Sequence, residues 1–156
     1  MTSTRDRRPI AVASAILFFL SITLALAHSG ATGVVKERMA AMEDIGAALK
    51  TVGLMVRGLR DFDGAVVKAS ASTIAGHAAA IPTLFPAGSD HHPSEAAAAI
   101  WTDWERFVAS AGDLTRHAEA LARKADGAAD ASAIRAEFAA VAQTCKSCHE
   151  AFRVKR

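Results

Sequence analysis

Residues 132–153 read SAIRAEFAAVAQTCKSCHEAFR and form the most informative stretch of this 156-residue chain. Apolar side chains recur through it at alternating steps of four and three residues. This period places them on one face of an α-helix and indicates a helix that packs against a core. The members of this stripe are Ile134, Phe138, Val141, Cys145, Cys148 and Phe152.

Three further stretches have the same helical period, at residues 34–59, 64–80 and 94–124, and the last helix is expected to begin at residue 130 or 132. Asp63 is the expected N-cap of the second helix, and Pro82 is expected to end it. Four such helices with mostly short links predict an all-α fold, an antiparallel four-helix bundle with one longer connection at residues 82–93. The stripe of the third helix is expected to contain Ile100, Trp104, Phe107, Ala111, Leu114, Ala118 and Leu121.

The composition excludes several classes of protein. Hydrophobic residues make up 51% of the chain and charged residues 22%, so a disordered chain is excluded. A formal net charge of +2 gives no strong basic field, and nucleic-acid binding is not predicted. Two cysteines are too few for a disulfide scaffold.

The N-terminal segment, residues 1–27, has the pattern of a secretory signal peptide. An uncharged apolar run at residues 10–24 follows three arginines, and Ala25-Leu26-Ala27 then supplies a small-x-small cleavage sequence. The alternative is a membrane anchor, but the run of about 15 residues is shorter than the roughly 20 that span a bilayer. We therefore expect a mature domain at residues 28–156 in the periplasm, with membrane attachment only if the signal is not cleaved. The arginines are Arg5, Arg7 and Arg8.

The motif Cys145-Lys-Ser-Cys148-His149 is the attachment sequence of c-type haem. Two thiols one helical turn apart can each bond to a vinyl group on one porphyrin edge. His149 lies four residues after Cys145, so its imidazole points to the same side and can bind the iron as the proximal ligand. The motif therefore predicts one covalent haem c, with Cys145 and Cys148 as attachment residues and His149 as a metal ligand.

Two other readings of the cysteine pair remain open at this point. A thioredoxin-type disulfide site normally lies at a helix N-terminus after a strand, whereas this pair lies near the end of the last helix. A zinc site normally needs four ligands, and no second pair accompanies the first, although His91 and His92 are conceivable partners. The export signal, the helical pattern and the complete five-residue motif together favour haem.

Further motifs resemble those of a known family, the cytochrome c-prime and cytochrome c-556 group of class II c-type cytochromes. The ending Cys145-x-x-Cys-His-x-x-Phe-Arg153 resembles the family's C-terminal motif, and Ile100-Trp101 is similar to a pair that opens its third helix. Residues 81–86, IPTLFP, and the pattern Arg38-x-x-x-Met42-x-x-x-Gly46 are similar to family segments as well. The resemblance covers nearly all of residues 28–156. It implies a four-helix bundle, haem attached near the C-terminus and frequent homodimers.

The resemblance also implies roles for three residues outside the haem motif. Met42 occupies the position of the methionine that binds the iron in c-556 members, and c-prime members have an apolar side chain there. Periodicity alone instead favours a core methionine at this position, and Met39 and Met55 lie nearby on the same predicted helix. The resemblance implies that Arg38 approaches a haem propionate; the alternative is a solvated arginine. It also implies that Arg153 flanks the proximal side of the haem.

These observations predict a periplasmic mono-haem electron carrier whose iron is held by His149 and Met42 and which serves redox partner proteins. No base–nucleophile pair or phosphate-binding loop is evident, so an enzyme is not predicted. One alternative is a protein that binds nitric oxide or carbon monoxide at an open distal site. A second alternative is a haem subunit of a membrane complex, tethered by residues 10–24.

Export is expected to produce a mature chain that begins at His28, because signal peptidase cleaves after a small-x-small sequence. N-terminal sequencing and the intact mass of periplasmic protein test this. Recovery of only the full-length chain, and only from membranes, would instead support the tethered subunit.

Overall fold

The computed structural model describes residues 30–154 of the chain. The predicted signal peptide at residues 1–27 and its cleavage site lie outside the described residues, as do Lys155 and Arg156. Within the described range, no helix has both the length and the apolar character needed to cross a lipid bilayer.

The described chain is helical, and four long helices form the predicted bundle. Two short 3-10 turns, at Ile81–Leu84 and Ala131–Ile134, extend the second helix and precede the last one. The α-helices are α1 (Gly33–Val56), α2 (Gly64–Ala80), α3 (Ala99–Thr102), α4 (Trp104–Ala125) and α5 (Arg135–Phe152). The all-α prediction is confirmed, and the bounds of α2 agree with the predicted ones.

The first helix ends at Val56, three residues before the predicted end at Leu59. Gly58 has a φ of +70°, which glycine adopts without steric cost. Its amide donates to the Met55 carbonyl, and the Leu59 amide donates to the Leu54 carbonyl. This pair of bonds is a Schellman motif, which closes the helix by satisfying its last carbonyls.

The prediction of one continuous third helix at residues 94–124 is wrong. Residues 95–97 pair instead with the chain that leaves α5, and Ala96 and Arg153 form an isolated antiparallel bridge. The backbone of residues 95–97 is held in this pairing and does not adopt helical geometry, so the helical conformation begins only at Ala99. A second interruption follows at Asp103, whose φ of −130° and ψ of 52° are not helical.

The placement of Trp104 in the apolar core stripe is also wrong, because this residue is 39% exposed. Trp104 is the first residue of α4, directly after the Asp103 interruption, so the continuous helical period assumed for it does not exist. Its ring still packs on Phe107, with 5.5 Å between the ring centroids. The rest of the predicted stripe is buried, from Ile100 in α3 to Leu121 in α4.

The four long helices do not share the core equally. The helices α2 and α4 pack closely along their lengths, whereas α1 and α5 make few direct contacts with each other. Small side chains permit the close approach, since the buried residues between α2 and α4 include Ala71, Ala78, Ala111 and Ala118. The bundle thus has one side on which neighbouring helices pack tightly, α2 with α4, and an opposite side on which α1 and α5 contact each other little.

Leu121→Ala is expected to lower the free energy of unfolding by about 2–5 kcal/mol, because a fully buried leucine leaves a cavity. The control is Leu59→Ala, since Leu59 is 70% exposed and its truncation should change stability by less than about 0.5 kcal/mol. Urea unfolding of both variants, followed by helical circular dichroism, measures the difference. Equal losses in the two variants would contradict the assigned core.

Candidate functional site

Cys145 and Cys148 lie one turn apart on α5, and both are free thiols that pack half-buried against the core. Desolvation raises the pKa of each thiol, and in Cys148 the neighbouring Cys145 adds to the effect. A redox-active cysteine typically has a lowered pKa, because the thiolate is the reactive form. These two thiols instead lie beside apolar groups, which fits attachment of an apolar macrocycle better than a redox disulfide site. In the part of the chain that the structure describes, no third His, Cys, Asp or Glu side chain joins them to form a zinc site.

His149 follows directly, and its backbone lies in the last turn of α5. Much of the residue is accessible to solvent, yet partial desolvation lowers the pKa of the imidazole, and the positive charge of Arg153 lowers it further. A lowered pKa favours the neutral ring, which is the form that coordinates iron. Among residues 30–154, no three His, Cys, Asp or Glu side chains converge on one point to form another metal site.

Met42 lies on α1, on the helix face that also buries Ile45. It packs half-buried against the same core cluster as Cys145 and Cys148. Met55, by contrast, is 2% exposed and fills the protein core. Of these two methionines, Met42 is thus the one that keeps surface available for a further group.

The apolar residues of α1 and α5 provide a test of whether haem fits this site. The core positions of α2 are fully buried by protein alone, whereas several positions on the stripes of α1 and α5 are only half-buried. A large flat apolar group attached to α5 would cover such side chains and add to the core. The residues present therefore fit haem c. The half-buried positions are Met42, Leu49, Val56, Phe138, Cys145 and Cys148.

Arg38 is 6% exposed, so the alternative of a solvated arginine is wrong. Its guanidinium donates from Nε and Nη2 to the Leu84 carbonyl at 3.2 and 2.9 Å. Nη1 donates to the Ser89 carbonyl at 3.2 Å and to Ser94 Oγ at 2.8 Å, and Nη2 also donates to Ser89 Oγ at 2.7 Å. All five N–H groups are thereby used. The contact of Arg38 with a haem propionate stays a prediction, and such a contact would share or displace one of these bonds.

Arg153 lies one turn after His149 and pairs with Glu95, a residue that the sequence analysis did not single out. Arg153 Nε donates to Glu95 Oε2 at 2.7 Å, and Nη2 contacts the same oxygen. The positive charge of Arg153 lowers the pKa of His149, and its role on the proximal side of the haem stays a prediction. Its partner could not be read from the sequence, because Glu95 fell within a stretch expected to be helical.

The sequence model of one family, described as Cytochrome C', matches residues 33–153. The chain belongs to the cytochrome c' family. The cytochrome c-556 of Agrobacterium fabrum is 33% identical over 126 residues, which cover 81% of this chain and 84% of that protein. The cytochrome c' of Rhodopseudomonas palustris is 36% identical over 127 residues, which cover 80% of this chain and 84% of that protein.

Solved structures agree with this family assignment. The structure of cytochrome c' from Rhodopseudomonas palustris superposes with a TM-score of 0.74 at 33% identity, covering 81% of this chain and 99% of that one. This cytochrome therefore has the four-helix bundle of the family, and haem c is its covalent cofactor. Relatives of similar identity carry both the c-556 and the c' names, so the comparisons do not divide the two types.

Cys145→Ala/Cys148→Ala is expected to abolish covalent haem attachment, because both thioether bonds are lost. The control is Ser147→Ala, which changes an exposed residue between the two cysteines and should leave attachment intact. Acid–acetone extraction and intact mass measure the outcome, with a gain of one haem per chain in the wild type and the control. Complete extraction of haem from the wild type would show that the cysteines do not attach it.

Proposed function

We propose that this cytochrome is a periplasmic electron carrier with one haem, attached through Cys145 and Cys148 and ligated by His149 and Met42. When bound, haem supplies an iron that takes up and releases one electron. The observation that supports the proposal most directly is the position of Met42. Its thioether is half-buried on α1, against the same core cluster that the attachment residues of α5 contact.

The chemistry of the two proposed ligands suits electron transfer. The neutral imidazole of His149 is favoured, since desolvation and the charge of Arg153 lower the pKa of its ring. The thioether of Met42 has no protons to exchange and is a soft donor, which favours ferrous iron and raises the reduction potential. Ligation by these two residues would leave little geometric change at the iron between oxidation states, so an electron would move with little reorganisation.

The exported location of the carrier is supported by the predicted signal peptide at residues 1–27. Redox partner proteins in the periplasm would then exchange electrons with it. Covalent attachment suits that setting, since a haem held by two bonds cannot be lost by dilution. The alternatives are gas binding at an open distal site, which requires that Met42 does not ligate, and a tethered subunit, which requires an uncleaved N-terminus.

Met42→Leu is expected to open the distal position, convert the iron towards high spin, lower the reduction potential and speed carbon monoxide binding. Leucine conserves volume, so the free energy of unfolding should change by less than about 1.5 kcal/mol. Absorption spectra of both oxidation states, a redox titration and carbon monoxide binding kinetics measure these effects.

Two control variants on the same helix separate ligation from packing. Met55→Leu alters a fully buried methionine, and Met39→Leu alters the other nearby thioether. Both should keep the low-spin spectrum of the wild type. A wild-type ferrous protein that is already high-spin and binds carbon monoxide readily would reject Met42 ligation and favour gas binding.

A further inference from the structure

We propose that residues 84–97 form a strap that fixes the separation of α1 and α5, with Arg38 and Arg153 as the positioning residues at its two ends. The inference rests on the proposed function, because α1 and α5 carry the two proposed iron ligands. Arg38 lies one turn before Met42 and Arg153 one turn after His149. The strap thus joins the two ligand-bearing helices close to the ligands.

The first end of the strap is held by the buried guanidinium of Arg38. Its five donated hydrogen bonds reach Leu84, Ser89 and Ser94, which span most of the strap. The guanidinium carbon also lies 3.8 Å from the centroid of the Phe85 ring, which adds a cation–π contact. A group with this many fixed partners holds the segment in one place relative to α1.

The second end of the strap is held by backbone pairing with the chain that leaves α5. The Ala97 amide donates to the Phe152 carbonyl at 3.0 Å, and the Val154 amide donates to the Glu95 carbonyl at 2.9 Å. The ion pair between Glu95 and Arg153 covers the same junction. Because more than half of the Arg153 side chain is exposed, the ion pair alone is weak and the backbone bonds carry most of this end.

Ser94 joins the two ends. Its hydroxyl oxygen accepts from Arg38 Nη1 at 2.8 Å and from the Ala96 amide at 3.1 Å. Ala96 is the residue that bridges to Arg153, so only a few bonds separate α1 from the end of α5 along this path. Since α1 and α5 make few direct contacts with each other, the strap adds a protein connection between them close to the proposed ligands.

Arg38→Lys and Ser94→Ala test the coupling from the first end. Lysine keeps the charge but cannot replace the five bonds of the planar guanidinium, and Ser94→Ala removes the shared oxygen without burying a new group. In the haem-loaded protein, we expect amide hydrogen exchange at Ala97 and Val154 to accelerate by roughly tenfold in both variants. The low-spin fraction should fall and carbon monoxide should bind faster, while exchange at core amides of α2 stays unchanged.

Glu95→Gln tests the second end, with Lys68→Ala as its matched control. The control removes an exposed ion pair of 3.1 Å between Lys68 and Asp126, away from the strap. We expect Glu95→Gln to accelerate exchange at Val154 and to lower the low-spin fraction slightly, and the control to change neither.

Two results would overturn the strap. Unchanged exchange at Ala97 and Val154 in Ser94→Ala would show that its ends are not coupled. Faster exchange with an unaltered iron spectrum and unaltered carbon monoxide kinetics would show that the strap does not position the ligands. A wild-type protein with high-spin iron would instead reject ligation by Met42. In that case, amide exchange and carbon monoxide kinetics of the variants would still show whether the strap couples α1 to the end of α5.

Discussion

The structure depends on an unequal division of the core between two neighbouring helix pairs on opposite sides of the bundle. Alanines let α2 and α4 approach closely, so this pair needs no further group to bury its apolar faces. The helices α1 and α5 contact each other little and keep several apolar side chains half-buried. Haem c belongs to the second pair, because its attachment cysteines lie on α5. A haem attached there would cover these side chains and so complete the hydrophobic core as well as supply the redox centre.

The same division explains why a buried arginine is tolerated. Removing a guanidinium from water is costly, and burial lowers the pKa of Arg38. Its hydrogen-bond acceptors in the structure are neutral oxygens, so hydrogen bonds and the Phe85 ring must offset this cost. In return, these bonds hold a long connection against α1. A lysine could not do this, because its three donors lie around one atom and cannot reach Leu84, Ser89 and Ser94 together.

Periodicity predicted the four long helices and most of their buried faces, because each stripe is a local pattern that one helix satisfies by itself. The strap could not be predicted in this way. Arg38 bonds to residues 46, 51 and 56 positions further along the chain, and no local spacing encodes such pairs. The four alanines at residues 96–99 favour helix by propensity, yet pairing with the end of α5 prevails at the first two of them. Within the site, the haem motif could be predicted because its chemistry lies within five residues. The roles of Glu95 and Ser94 could not be predicted, because their partners are distant in the sequence.

The distinction between a carrier and a gas-binding protein comes down to how well the fold holds one thioether in place. A thioether is a weaker donor than an imidazole, so the bond of a methionine to iron is the weaker one, and small displacements of α1 would weaken it further. The identity of residue 42 alone is then insufficient to determine the iron's coordination. The separation of α1 and α5 matters equally, and the two helices barely contact each other. A connection anchored one turn from each proposed ligand meets this requirement with few residues. Anchoring at these positions limits both the translation and the tilt of the two helices beside the iron. In such an arrangement, changes in the strap would shift the balance between ligation and an open site without altering any residue that touches iron.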